Sequence, residues 1–252
     1  MLIHHQPGHY YFLQGIDPYS CGVVSEPGHE IVHVNLVSLL PWSAGIRKAI
    51  EWLASIGGVA TDICAMQLRC PAPHTMKGFK AFNAEYCELI ENLGLYVDGC
   101  NPLARTNVAP QISVPSETSL FAFSYVRPAP KSQAPTFLIA GAGELPEGSL
   151  NESDIIRRGE TSPDAISDKS AFVMKIMADR LHALNCIWQD VNRINIYTCH
   201  PCDAILRDVI VSETRDCNLQ GLHVFSSRPP VEEIEFEMDM RGVRNEMFID
   251  LT

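Results

Sequence analysis

The chain has 252 residues and a formal net charge of −11, with 46% hydrophobic and 19% charged residues. This composition is ordinary for a folded protein and too apolar for a disordered one. The acidic balance argues against a nucleic-acid partner, because phosphate binding needs a basic cluster and none here is longer than Arg157-Arg158. A small anionic ligand is compatible with this charge, since one positioned arginine can hold a carboxylate.

The ends and the apolar stretches of the chain predict where the protein resides. The N-terminus lacks a basic segment followed by an apolar one, so we expect no secretory signal. The longest apolar stretch, near Ile31–Trp42, is too short to span a bilayer. Nine scattered cysteines are more typical of a reducing compartment than of a disulfide framework. We therefore expect a cytoplasmic protein without membrane contact.

The first half of the chain alternates between strand and helix patterns after a leading hairpin. The predicted elements are, in order, the hairpin Tyr10–Val24, a strand at Ile31–Leu40, a helix marked by Ile46, Ile50, Leu53 and Ile56, a strand at Asp62–Cys70, a helix marked by Phe79, Phe82, Tyr86, Leu89 and Leu93, and strands at Thr106–Val114 and Leu120–Val126. Glycines follow both helices, as is typical of helix ends.

The second half shows the same order of patterns. The predicted elements are a strand at Thr136–Gly141, a long helix from near Asp164, a strand at Asp190–Cys199, a helix that begins at Pro201, and closing strands at Leu222–Ser226 and Ile234–Met240. A Pro-rich segment, Arg127–Pro135, separates the halves.

This repetition predicts an α+β chain of two tandem β-α-β-α-β-β units, residues 1–128 and 129–252, each a sheet with two helices on one face. The alternative is one α/β domain whose alternation only imitates a repeat. Because a sheet covered on one face leaves the other apolar face open, we also expect a homo-oligomer.

Several short motifs resemble those of the Rid (YjgF-type) proteins, in the same order. Asp17–Ser20, Phe82–Tyr86 and Leu103–Val108 resemble the G-P-Y-S turn, the F-x-x-x-N-x-x-Y helix and the P-A-R-T-x-V strand start. Phe137–Pro146 and Pro229–Glu237 resemble the strand that ends S-G-Q-x-P and the closing strand that begins V-E-I-E. The resemblance implies a chorismate-mutase-like fold, usually trimeric, that deaminates small imines or enamines bearing a carboxylate, without metal or organic cofactor.

The two halves depart from the family pattern in complementary ways. The first half has Arg105 but carries Phe121-Ala-Phe123 where a glutamate is expected. The second half has the glutamate, best matched by Glu235, but carries Leu219-Gln220-Gly221 where the arginine is expected. Either a cleft between the halves combines Arg105 with Glu235, or both sites have decayed.

The resemblance assigns chemical roles to individual residues. Arg105 is the candidate anchor for a substrate carboxylate, with an interdomain salt bridge as the structural alternative. Glu235 is the candidate for proton transfer or water positioning, with a solvated strand edge as the alternative. Tyr19 either covers the pocket and takes part in catalysis or packs the hairpin.

Three further residues are candidate substrate contacts. Asn83 lies on an apolar helix face, so it either faces a pocket or bonds backbone structurally. Thr106 follows the anchor in the A-R-T motif, and Arg228 is a second possible carboxylate anchor. Cys199-His-Pro-Cys202 is either a redox or zinc motif or a tight turn, and a turn is favoured because no second ligand pair is present. His4, His5 and His9 lack ligand neighbours at metal-site spacing, so no metal site is expected.

The sequence therefore predicts a cofactor-free hydrolase or deaminase. Its expected substrate is a small unsaturated amino or imino carboxylic acid, and the expected context is aromatic-compound catabolism. The expected assembly is a trimer. The alternatives are a chorismatase-type hydrolase and a non-catalytic ligand-binding or regulatory module with a degenerate site.

Overall fold

A computed structural model of the chain describes residues 1–131, 133–214 and 222–252, which form one continuous twelve-stranded mixed sheet flanked by helices. The strands are β1 (Leu2–His5), β2 (Tyr10–Leu13), β3 (Gly22–Ser25), β4 (His29–Pro41), β5 (Ile63–Arg69), β6 (Ala104–Pro110), β7 (Ser119–Pro128), β8 (Phe137–Gly143), β9 (Arg193–Thr198), β10 (His223–Arg228), β11 (Phe236–Gly242) and β12 (Asn245–Ile249). The helices are α1 (Trp42–Ser55), α2 (Met76–Asn92), α3 (Pro163–Ala183) and α4, which consists of successive turns at Asp203–Ile205, Leu206–Ile210 and Val211–Glu213.

Local sequence explains where the long helices begin and end. The Thr75 hydroxyl accepts a hydrogen bond from the Gly78 amide at the start of α2, and the Ser162 hydroxyl caps α3 in the same way. The chain leaves α2 through Gly94, whose φ of +70° is accessible to glycine at little cost. These caps fix the helix boundaries before any tertiary contact is made.

The two halves of the sheet have the same strand order. The first half runs β6-β5-β7-β4 and the second runs β10-β9-β11-β8. In both, the first two strands pair in parallel and the remaining pairs are antiparallel. This arrangement confirms the predicted α+β fold class. The strand β7 ends at Pro128, and the division into units 1–128 and 129–252 stays a prediction.

A small structural detail also recurs in the two halves. A short 3₁₀ turn precedes both β5 and β9, and in each an aspartate accepts a hydrogen bond from a backbone amide three residues earlier. Asp62 accepts from Val59 at 2.9 Å, and Asp190 accepts from Ile187 at 3.4 Å. The recurrence supports a common origin of the two halves.

Alternate residues of the strands face opposite sides of the sheet. In β8, Phe137 and Ile139 pack in a core with α3 and α4, whereas Leu138 and Ala140 pack in a separate cluster with strand residues of the first half. Strand β10 also pairs with β6, and β3 pairs with β8, so the halves share one hydrogen-bonded sheet. The helices therefore lie outside, and the opposite sheet faces meet between the halves.

Some predicted boundaries differ from the structure. Strand β6 ends at Pro110 rather than Val114, because the following residues turn away from the sheet. Strand β12 was not predicted, since its five residues are too short a pattern to recognise, yet it pairs in parallel with β4. In the described part of the chain, no helix is long and apolar enough to cross a membrane.

A fully buried ion pair supports the start of β11. The Lys169 ammonium on α3 lies 3.0 Å from Glu144 Oε1, and neither side chain is exposed. The Glu144 carboxylate also accepts hydrogen bonds from the backbone amides of Glu235 at 2.6 Å and Phe236 at 3.1 Å. Burial raises the pKa of Glu144, and the Lys169 charge opposes that rise. The pair thus joins α3, the loop after β8 and the first residues of β11.

We expect Lys169→Met to lower the free energy of unfolding by about 3 kcal/mol, because it leaves Glu144 buried without its counter-charge. Lys175→Met is the matched control, since Lys175 forms an exposed pair with Asp179 on the same helix. That change should cost less than about 1 kcal/mol. Denaturant unfolding measures both, and equal losses would contradict a structural role for the buried pair.

Candidate functional site

A cavity of about 470 Å³ lies between the two halves of the chain. Residues of the first half line one side, and the loop after β8, α3 and β11 line the other. Its apolar wall includes Met76, Phe79, Leu145, Val231 and Ile234. Its polar residues include Tyr19, Arg105, Asn107, Glu147, Arg180 and Glu237. Mostly apolar walls with a few polar groups are typical of small-molecule sites.

Arg105 is a buried cation surrounded by aromatic rings. Its side chain is on β6 and only 3% of the residue is exposed. The guanidinium carbon lies 4.6 Å from the Tyr86 ring centre and 5.0 Å from that of Tyr19. Both distances are in the cation–π range. Burial lowers the pKa of Arg105 from its usual value, but an arginine remains charged.

One hydrogen bond orients this guanidinium and one of its nitrogens has no partner. Arg105 Nη2 donates to Asn83 Oδ1 at 2.6 Å, whereas the buried Nη1 has no hydrogen-bond acceptor. Among the described residues, no carboxylate forms a salt bridge with Arg105. A buried charged donor without an acceptor is costly unless a ligand supplies one. The free Nη1 can therefore donate to an anionic ligand, and the role of Arg105 as the carboxylate anchor stays a prediction.

The candidates Asn83 and Thr106 do not line the cavity. Asn83 on α2 holds Arg105 in place, as described above. Thr106 Oγ1 accepts a hydrogen bond from the Gly141 amide at 3.1 Å and thereby joins β6 to β8. Both residues therefore support the cavity wall, and a direct contact of either with substrate stays a prediction.

Glu237, on β11, is the buried carboxylate that faces the cavity. Burial raises its pKa well above the usual range, Asp239 and Glu144 raise it further, and the charges of Arg69 and Arg105 oppose the rise. A neutral carboxylic acid is therefore the favoured form in the empty cavity.

Gly141 on β8 provides the space for this carboxylate. A Cβ at position 141 would overlap the Glu237 side chain, so any larger residue would displace it. The glycine of this strand thus has a steric role in the site.

Glu235, the predicted proton-transfer residue, lies outside the cavity. Its carboxylate is 2.9 Å from His200 Nε2 and 3.1 Å from Arg228 Nη2. Glu235 precedes β11, and Glu144 binds its backbone amide, so its side chain does not follow the strand alternation. The geometry places Glu237 where Glu235 was expected, and Arg228 is paired rather than available as an anchor. The departure at Leu219-Gln220-Gly221 lies outside the described residues.

Asn107 is a polar cavity residue that motif reasoning passed over. It is 3% exposed, and neither its Nδ2 nor its Oδ1 has a hydrogen-bond partner. Such an amide in a cavity wall offers one donor and one acceptor to a ligand. The sequence signal that could have identified Asn107 is its position directly after the A-R-T motif.

A second arginine lies on another part of the wall. The guanidinium of Arg180, on α3, is buried and forms two hydrogen bonds with Glu147, at 2.7 and 3.0 Å. A third hydrogen bond goes to the backbone oxygen of Ala140 at 2.9 Å. Glu147 is on the loop after β8, and 49% of its side chain is exposed. Among the described residues that line the cavity, Arg105 and Arg180 are the only permanent cations.

The Cys199-His-Pro-Cys202 segment is separate from the cavity. It forms the turn between β9 and α4, with Cys199 exposed and Cys202 half-buried. Burial raises the pKa of both thiols, so neither is an activated thiolate. This placement agrees with the interpretation as a tight turn.

A buried arginine and a buried glutamate face one cavity between two β-α-β-α-β-β halves, and together they define an α+β protein with a small-molecule cavity. The sequence matches the family described as "2-aminomuconate deaminase CnbZ" over residues 2–247. It is 36% identical over 242 residues to 2-amino-5-chloromuconate deaminase from Comamonas testosteroni, covering 95% of this chain and 96% of that protein. The chain therefore belongs to the 2-aminomuconate deaminase CnbZ family.

A chorismatase of known structure shows the same fold. It superposes with a TM-score of 0.53 at 10% identity, covering 91% of this chain and 79% of its own. TdcF from E. coli with bound serine covers 44% of this chain and 81% of its own, with a TM-score of 0.32 and 13% identity. At such low identity, the chorismatase likeness shows the fold and no shared activity.

We expect Glu237→Gln to remove a pH-dependent loss of stability. The folded-state pKa of Glu237 is raised above its unfolded value of about 4.3, so wild-type stability falls as pH rises through that window. The glutamine variant does not titrate. As pH rises between the unfolded-state and folded-state pKa of Glu237, the free energy of unfolding of the variant, relative to that of the wild type, should therefore increase by about 1.4 kcal/mol per pH unit.

Urea unfolding from about pH 5 to about pH 8 measures this difference. The exposed Glu232→Gln, in the same segment, is the control. If the free energies of unfolding of the Glu237 and Glu232 variants changed with pH in the same way, the raised pKa of Glu237 would be contradicted.

Proposed function

We propose that this protein hydrolytically deaminates a 2-aminomuconate-type substrate, a doubly unsaturated six-carbon dicarboxylate with an amino group on C2. The observation that carries the proposal is the unpaired, buried Nη1 of Arg105 on the wall of a cavity that also holds Glu237. The family membership supports the substrate class. A trimeric assembly and a cytoplasmic location stay predictions.

Arg105 would hold the carboxylate next to the amino-bearing carbon. A guanidinium can donate two parallel hydrogen bonds to a carboxylate, and the free Nη1 supplies one that the protein leaves unused. The surrounding rings exclude water, which strengthens this charge–charge interaction. Anchoring by Arg105 would keep the amino end of the substrate in the cavity that Glu237 also lines.

Glu237 would move the protons of the reaction. Its protonated form donates a proton to a carbon of the enamine, giving an iminium at C2 and a carboxylate at Glu237. That carboxylate then takes a proton from water as the water oxygen bonds to C2. The raised pKa matches the first step, because it favours the protonated acid that this step consumes.

Breaking the carbon–nitrogen bond completes the reaction. Glu237 returns its proton to the amino group, ammonia leaves, and the remaining hydroxyl proton passes back to Glu237 as the carbonyl forms. One water is consumed, one ammonia is released, and the acid is restored. The overall reaction requires no oxidant or reductant.

Asn107 and Tyr19 would complete the recognition of the amino end. The free Oδ1 of Asn107 can accept a hydrogen bond from the amino group of the substrate. This contact favours an amino substituent over hydrogen, but it is less selective than a charged group would be. Burial raises the pKa of Tyr19, so its hydroxyl is neutral and able to donate. Its ring lies over Arg105 and covers that side of the cavity.

The central test is ammonia release from 2-aminomuconate by the wild type and by Arg105→Met. Loss of charge-assisted hydrogen bonds costs about 3 kcal/mol, so kcat/KM should fall about 100-fold or more. Arg228→Met is the control, because Arg228 pairs with Glu235 away from the cavity, and it should retain activity within about threefold. No turnover by the folded wild type, or equal activity of both variants, would overturn the proposal.

A dicarboxylate needs a second counter-charge, and Arg180 is the other cation on the described wall. In the empty cavity its guanidinium is occupied by Glu147, a half-exposed carboxylate on a loop. We infer that the distal substrate carboxylate replaces Glu147 on Arg180. One carboxylate thus replaces another on the Arg180 guanidinium, and the Glu147 carboxylate becomes hydrated.

Muconate and sorbate test this second anchor, because both are six-carbon dienoates and only muconate has the distal carboxylate. We expect the wild type to bind muconate at least tenfold more tightly than sorbate by calorimetry, and Arg180→Met to abolish the preference. Glu147→Gln should strengthen muconate binding and leave sorbate unchanged. Equal affinities in the wild type, or a parallel loss for both ligands in Arg180→Met, would contradict the assignment.

A further inference from the structure

A cluster of two histidines and one glutamate lies outside the cavity, where two turns of the N-terminal region meet. His9 belongs to the turn between β1 and β2, and Glu26 and His29 flank the turn between β3 and β4. One potential ligand atom from each residue lies within 4.8 Å of the other two. None of the three lines the cavity. Sequence reasoning singled out His9 but not Glu26 and His29, because two strands separate the turns that carry them.

The geometry within the cluster is suited to a bound ion. Glu26 Oε2 is 3.1 Å from His9 Nδ1 and 4.0 Å from His29 Nδ1. The two imidazole rings are stacked with their centres 4.1 Å apart, so a rotation of His29 is needed before both Nδ1 lone pairs can point at one ion. The second carboxylate oxygen of Glu26 is held by His4 Nε2. An outer hydrogen bond of this kind commonly orients a metal-ligating group.

One atom of the cluster has no hydrogen-bond partner. The Nδ1 of His29 is buried and makes no hydrogen bond, although an unsatisfied buried nitrogen carries a cost. A cation between the three side chains would satisfy the free nitrogen.

The residue types also suit a metal ligand set. Two imidazoles beside a carboxylate are the donor set of zinc and related sites.

We propose that His9, Glu26 and His29 bind one divalent transition-metal ion of the zinc class, with solvent completing the coordination. Ligand atoms of a tetrahedral zinc site lie roughly 3.3 Å apart. The His9–Glu26 pair already has this spacing, and a small rotation of His29 would supply the third ligand. Such an ion would tie the β1–β2 turn to the β3–β4 turn and stabilise the hairpin region, independently of the proposed deaminase reaction.

Titration calorimetry with Zn²⁺, after removal of metals by a chelator, tests the site. The measurements use full-length protein with Cys199→Ser and Cys202→Ser, because those accessible thiols can also bind zinc. We expect one ion per chain with a Kd in the micromolar range or tighter, and at least a tenfold weaker Kd for His9→Ala and for Glu26→Gln. His182→Ala, an exposed histidine on α3, is the control and should bind like the parent.

Co²⁺ provides a second readout that does not depend on affinity alone. Its visible absorption should show ligand-field bands on binding the parent, and these should be lost in His9→Ala while the far-ultraviolet circular dichroism stays unchanged. Millimolar binding, or zinc binding that none of the cluster variants weakens, would overturn the metal site and leave a histidine–carboxylate hydrogen-bond cluster. Neither result bears on ammonia release, so this proposal and the deaminase proposal fail separately.

Discussion

The site depends on burying one guanidinium and one carboxylic acid at the junction of the two halves. Arg105 is on β6 in the first half and Glu237 is on β11 in the second. They reach one cavity because β6 pairs with β10, β10 with β9 and β9 with β11. Burying either group is costly without local support. Asn83 supports the arginine, and the Glu144–Lys169 pair fixes the backbone just before Glu237.

The same burial produces the chemistry. Water exclusion raises the pKa of Glu237, and the nearby acids Asp239 and Glu144 raise it further. It also leaves Arg105 with an unused donor among aromatic rings. A carboxylate ligand would satisfy this donor while the acid stays protonated. An anchor and a proton donor in one cavity are the two groups that the proposed deamination of an enamine acid requires.

The N-terminal strands extend the sheet beyond the two similar halves. Strand β3 pairs with β8, which brings the loop carrying Tyr19 over Arg105 and forms part of the cavity wall. The turns of this region gather His9, Glu26 and His29 on a different side. A metal ion there would stabilise the element that covers the site without entering the reaction.

Sequence patterns alone determined the order of strands and helices and the α+β class, and they singled out Arg105, because periodicity, caps and short motifs are local properties. They favoured Glu235 over Glu237, although alternation places both on one face. In the tertiary structure Glu237 rather than Glu235 faces the cavity, since Glu235 precedes the strand and pairs with His200, while the space at Gly141 admits Glu237. Contacts between distant segments likewise indicated the proposed roles of Asn107, Arg180 and the histidine cluster. The physical reason is that a cavity and its electrostatics arise from long-range packing, which no local pattern encodes.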